Sequence, residues 1–403
     1  VSGLPMVPLG SIAKVYDGTH QTPQYVSEGV PFYSVEHLTR NDFSDTKFIA
    51  REIYDAEIRR VKIERGDILM TRIGSIGETR LIDWDAEASF YVSLALVKPK
   101  PDISSRYLAH AMQGAHFQRE LYKRTLHVAF PKKINLGEIS ECTIPLPEID
   151  EQERIASVLD AWDKAISEAK SSAETHSIRL EWLIDAVLSG KSRLSNFNKS
   201  WSRLQLSDVL TEHKLRSSGN EDVFSVSVHR GLVNQIEHLG RSFAAQSTDH
   251  YNRVMPGDIV YTKSPTGQFP LGVVKQSTLD EDAIVSPLYG VFRPKSKSLG
   301  SLLDALFSVP SFAVRYLTPL VQKGAKNTIA VTNNQFLEGR VMLPSDAEEI
   351  DALADLIKTQ REIITHSKKL VSLLEDQKRG ITQKFIGGKA GVSDRPGFSK
   401  TEA

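Results

Sequence analysis

The residues best equipped for chemistry in this chain are cations and amides gathered in short loops. Lys123, Arg124, His127, Lys132 and Lys133 fall in one stretch, with Tyr122 and Phe130 among them. Lys323, Lys326, Asn327, Asn333 and Asn334 form a second set. Each set lies just before a proline-containing close, Ile144-Pro145-Leu146-Pro147 or Val341-Met342-Leu343-Pro344. Lys and Arg suit phosphate oxygens, and Arg, Asn and Gln can bond base edges. A solvated loop face is the competing reading of either set, and recurrence at matching positions weakens it. Arg72 and Lys263 add a cation after matching apolar stretches. Three polar or glycine-rich loops complete the candidate nucleic-acid contacts: Asp17–Pro23 with Thr19 and His20, Gly74–Gly77 with Ser75, and Val228–Gly231 with His229 and Arg230.

Catalytic patterns fail when tested. Leu188-Ser189-Gly190-Lys191-Ser192 ends like a phosphate-binding loop, but the required earlier glycine is Asp185. Gly190 reads better as a helix C-cap. No glycine-rich dinucleotide motif opens a helix after a strand, and no Asn/Asp-Pro-Pro-aromatic signature of an amino-methyltransferase is present. Pro101-Asp102 has its nearest Glu-x-Lys at Glu168–Lys170, too far for a nuclease site of that type. His110, His116 and His127 form no ligand set, and with one cysteine a zinc site is not expected. No catalytic residue and no cofactor or metal bound by this chain is therefore expected.

Lys plus Arg equals Asp plus Glu, at 50 each, so any basic surface must be local. Cys142 is the only cysteine, which fits a reducing cytoplasm and excludes an intrachain disulfide. No apolar run approaches a membrane span, and residues Val1–Pro5 show no secretory pattern.

Two long helices must position the loops. Stepping by four and three from Ile155 meets Leu159, Trp162, Ile166, Ala169, Ala173, His176, Leu180, Leu183 and Val187, the seam of a coiled coil. A second seam reads Ile350, Leu353, Ile357, Gln360, Ile364, Ser367, Val371, Leu374, Lys378, Ile381 and Phe385. Each helix spans roughly 60 Å at 1.5 Å per residue. The economical arrangement buries the two seams against each other. Between the helices the signals repeat. Gly66–Arg72 corresponds to Gly257–Lys263, Ser93–Pro99 to Ser286–Pro294, and Leu188–Lys191 to Ile386–Lys389. The mixture of short strands and helices predicts an α+β fold on a largely β core. The expected organisation is a first domain at 1–147, a helix at 148–191, a linker at 192–200, a second domain at 201–344, a helix at 345–389 and a disordered tail at 390–403.

At this point the sequence resembles a type I restriction–modification specificity subunit. The likeness rests on Leu9-Gly10 with Asp17–Pro23, on Gly66–Arg72 with Gly74–Gly77, on Ile144–Pro147 leading into Glu151-Gln152, and on Leu188–Lys191. The second half follows more loosely, with Glu348-Glu349 after Pro344. The resemblance implies two similar target-recognition domains joined by an antiparallel pair of helices, each reading one half of a split DNA sequence. It implies no catalysis by this chain. It also implies assembly with two adenine methyltransferase subunits that use S-adenosylmethionine, and with restriction subunits that use ATP with Mg. Trp162 is too large for a two-helix seam, so Trp162, Ile155 and Leu159 are expected to support a partner subunit or a recognition domain. The competing function is a coiled-coil scaffold for two protein-binding domains, which salt-dependent duplex binding would separate from DNA reading.

Overall fold

The computed structural model describes residues 4–188, 193–236, 248–323 and 329–387. The two long helices run over Ile149–Leu188 and Ala347–Ile386, 40 residues each. Asp150 and Glu151 open the first, and Glu348 and Glu349 the second, where carboxylates meet the positive end of the helix dipole. Every heptad position of both seams is buried or half-buried, including the polar His176, Gln360 and Lys378.

The chain forms two compact units: residues up to Ala169 with those from Leu370 onward, and Lys170–Lys369. Each therefore holds the start of one long helix and the end of the other.

In the first unit a four-stranded antiparallel sheet has the order Ala13–Asp17, Leu94–Pro99, Ile68–Thr71, Thr79–Leu81. Its side chains alternate between two cores, as the period of two dictates. Ile68, Met70, Ala95 and Val97 face Tyr107, Leu108, Met112, Phe117 and Leu121 of the helices Ser105–Gln113 and Ala115–Arg124. Leu69, Leu94 and Leu96 face Tyr33, Leu38, Ile82 and Phe90. A second sheet, in the order Tyr25–Val26, Lys47–Ile49, Val30–Tyr33, Ser89–Phe90, adds to that side. Met6–Pro8 pairs with Thr143–Pro145 and fastens the start of the domain to its close.

The second unit repeats the plan. Its sheet has the order Leu210–Glu212, Gly290–Pro294, Ile259–Thr262, Val273–Gln276. Ile259 and Tyr261 share a core with Ile184, Val187, Leu353 and Ile357 of the long helices. Val260 faces the other way, against Val254, Val285 and Val291. Trp201–Gln205 pairs with Arg340–Pro344 as the fastening strands.

Each long helix is tied to its domain by one buried polar side chain five residues after the closing proline. In the first unit Gln152 accepts from the Ser104 amide at 3.0 Å and donates to the Pro147 carbonyl at 2.9 Å. In the second, the fully buried Glu349 accepts from Arg193 at 2.7 Å and from the Trp201 indole at 3.1 Å. A buried polar group without such partners is costly, so these bonds fix how each helix leaves its domain.

Among the described residues no helix is long and apolar enough to cross a membrane. Cys142 is buried, and burial pushes its thiol up to about 11, which leaves it inert as a nucleophile.

Candidate nucleic-acid interface

Three loops far apart in sequence are joined edge to edge in the first unit. The Thr19 amide donates to the Phe90 carbonyl, and the Val92 amide donates to the Thr19 carbonyl. The Arg72 amide donates to Ser93, which continues the same edge. Beyond it, the Gly74 amide donates to the Lys132 carbonyl at 2.8 Å, Ile134 donates to Arg72 at 3.0 Å and Leu126 donates to Lys133 at 2.8 Å. Thr19 and His20, Arg72 and Ser75, and His127, Lys132 and Lys133 are thereby brought onto one platform.

Local chemistry stiffens each loop. Gly18 lies so close to the Phe90 carbonyl that a Cβ would meet it at 2.1 Å. Arg60 bonds the Asp17 carboxylate and the Gly18 carbonyl. Burial opposes the charge of Asp17, but hydrogen bonds from His20 and Arg60 hold its carboxyl below the usual range. In the next loop Gly77 has φ of +95°, and its carbonyl accepts from Gln118 at 2.9 Å.

The platform presents a definite set of groups. Lys132 and Lys133 are exposed and have no side-chain partner among the described residues. Ser75 stands exposed between two left-handed glycines. His20 is exposed and bonds Asp17 at 2.6 Å. His127 donates to the Tyr122 carbonyl at 2.8 Å and packs on the Tyr122 ring. Arg124 is turned aside, pairing with Glu120 at 3.2 Å.

Arg72 departs from its expected role. Its side chain is buried, with Nε donating to the Ile134 carbonyl at 3.2 Å and a terminal nitrogen donating to the Val92 carbonyl at 2.9 Å. Burial lowers its pKa, with the charge of Asp17 opposing. A guanidinium spent on two carbonyls holds the loops together and is not aimed at a base.

The second unit divides its candidates between two places. Lys263 is half-buried, and burial lowers its pKa against the pull of Glu212. Glu212 also accepts from Asn333 at 2.7 Å, beside a cleft of about 260 Å³ that Arg216 and Asn252 help to line. Asn334 is exposed beside it. His229 and Arg230 form the turn of the hairpin Phe224–Ser227 and Gly231–Asn234, and line a different groove with Lys275 and Arg361. Lys323 lies on a short strand whose side chains are not described, and Lys326 and Asn327 lie outside the described residues.

Of the two roles expected for the seam residues, support of a partner subunit or of a recognition domain, the second holds for Ile155 and Leu159. Ile155 and Leu159 are 1% and 0% exposed within the first unit's own core, which leaves them no surface for another protein. Trp162 is half-buried. The long helix instead exposes Ile178 and Trp182, at 60% and 63%, one turn apart. Sequence reading missed this pair because both lie off the heptad seam. It also passed over Val128, which with Phe130 stands out from the basic loop.

Residues 4–174 match the type I restriction modification DNA specificity domain. The chain is similar to a putative type I restriction enzyme MjaX specificity subunit of Methanocaldococcus jannaschii, 24% identical over 90% of this chain and 88% of that protein. It is also similar to the EcoBI specificity subunit of Escherichia coli, 29% identical over 28% of this chain and 24% of that one. In fold it is similar to the S subunit of a type I system from M. genitalium, with a TM-score of 0.60, 12% identity and coverage of 96% and 97%. Residues 4–174 thus match a type I specificity domain, and the chain along most of its length is similar in sequence and in fold to type I restriction–modification specificity subunits.

Proposed function

We propose that the two units each read one half of a split, asymmetric DNA target, and that the chain does so without catalysis of its own. The observation that carries this reading is that one strand order recurs in both units while the loops on it differ. A common frame with unlike contact surfaces suits two unlike half-sites. In the first unit Lys132 and Lys133 grip phosphate, while Ser75, His20 and Thr19 supply short polar groups beside them. In the second, Lys263, Asn333 and Asn334 are the corresponding candidates.

On this reading the chain works in the cytoplasm with two adenine methyltransferase subunits, and with restriction subunits where these are present. S-adenosylmethionine, ATP and Mg belong to those partners. Ile178 and Trp182 are our candidate methyltransferase contact, since a paired apolar exposure marks a docking surface.

Duplex binding by the chain with its methyltransferase partner tests the reading. Lys132→Ala and Lys133→Ala should each reduce the salt slope by about one and weaken binding to all sequences alike. Salt-independent binding, or none, would favour the protein scaffold.

A further inference from the structure

We propose that Val128 and Phe130 form a wedge that enters between base pairs of the first half-site and unstacks one step. The proposal rests on the DNA-reading function and deepens it at one loop. Val128 is 98% exposed and Phe130 104%, so both side chains stand clear of their own fold. Large apolar groups held this far into solvent are unusual on a surface built for water alone.

The tip is presented by a braced stem. Leu126 donates to Lys133 at 2.8 Å, Gly74 donates to Lys132 at 2.8 Å, and Ile134 donates to Arg72 at 3.0 Å. His127 donates to the Tyr122 carbonyl and closes the other side. The stem therefore keeps its shape when the tip meets resistance, as a wedge requires.

Charge identifies the occupant. Between Glu120 and Glu138 the chain has Lys123, Arg124, Lys132 and Lys133 and no carboxylate. Lys132 and Lys133 follow the tip directly and have no side-chain partner among the described residues. An apolar point followed directly by two unpaired lysines matches a surface whose outside is anionic and whose interior is a stack of flat apolar faces. Duplex DNA has that construction, and Phe and other apolar side chains kink it by entering base steps. A purely apolar protein groove would gain nothing from the lysines. The chain from Leu317 to Gln335, the equivalent region of the second half, contains no aromatic residue, so Phe130 has no counterpart there. Pyrimidine–purine steps unstack most easily, and the wedge gives a preference for one in the first half-site.

The test uses the complex of this chain with its methyltransferase partner, and duplexes carrying its methylated motif. 2-Aminopurine replaces single bases through the first half-site, with the methylated adenine left natural so that its own extrusion does not report. The wild-type complex should raise fluorescence several-fold at one step. Phe130→Ala should abolish that rise and weaken specific binding about tenfold, with an unchanged melting temperature, and Phe130→Trp should retain both. An unchanged fluorescence profile and affinity in Phe130→Ala would overturn the wedge while leaving DNA reading intact. Loss of methyltransferase from the Phe130→Ala complex, with normal unstacking by what remains, would overturn it in favour of a protein contact. Absence of specific duplex binding by the wild-type complex would remove the underlying function and the wedge together.

Discussion

Asp67 and Asp258 make the same turn in the two halves of the chain, yet their carboxyls are shifted in opposite directions. Each follows a left-handed glycine, Gly66 at φ +93° or Gly257 at +88°, and each accepts from an amide three residues back. Asp67 is raised, because burial outweighs its bonds to Lys98 and to the Glu64 amide, and the Glu64 charge adds to the rise. Burial also acts on Asp258, but bonds from His213, Arg293 and the Met255 amide overcome it and lower the pKa.

The signs give a paired prediction. Asp258 stabilises the fold above the unfolded carboxyl value of about 3.9, and that contribution is lost as pH falls through its lower folded value. Asp67 takes up its proton more readily folded than unfolded. Its contribution is therefore present below about 3.9 and is lost as pH rises through its higher folded value. Melting temperature followed from pH 5.5 downward should fall less steeply in Asp258→Asn and more steeply in Asp67→Asn. Parallel curves for the two variants would show that the surroundings of the turns do not differ as described.

Arg72 now carries a structural prediction. Arg72→Ala removes the bonds to Ile134 and Val92 and should cost about 1–3 kcal/mol, or several degrees of melting temperature. Binding should weaken on correct and single-base-variant duplexes alike, since the platform itself loosens. Selective loss on one base pair, with normal melting, would restore a reading role to the guanidinium.

Trp182 carries the partner prediction. Its side chain is largely exposed, so Trp182→Ala should leave melting of the free chain within about 0.5 kcal/mol of wild type. Affinity for the methyltransferase subunit should fall by about 2 kcal/mol, as for a buried interface tryptophan. Calorimetric titration of the two proteins reads this directly, and an unchanged affinity would put the contact elsewhere.

Legibility of the sequence followed the range of the forces involved. The long helices were readable because their seams are periodic, and every seam position proved buried or half-buried. The repeat was readable because turns such as Gly66-Asp67 and Gly257-Asp258 need a glycine of positive φ. Arg72 misled because the carbonyl that captures it lies 62 residues away. Ile155 and Leu159 were legible as seam residues that could also support a recognition domain, and they close the core of the first unit. Trp182 and Val128 escaped notice because exposure of an apolar residue depends on what fails to cover it.

The most direct test of divided DNA reading is exchange of residues 5–145 for the same region of a relative, followed by sequencing of methylated sites in a host that expresses the complex. One half of the methylated motif should change and the other half should stay as it was. A motif changed in both halves, or in neither, would contradict the assignment of one half-site to each unit.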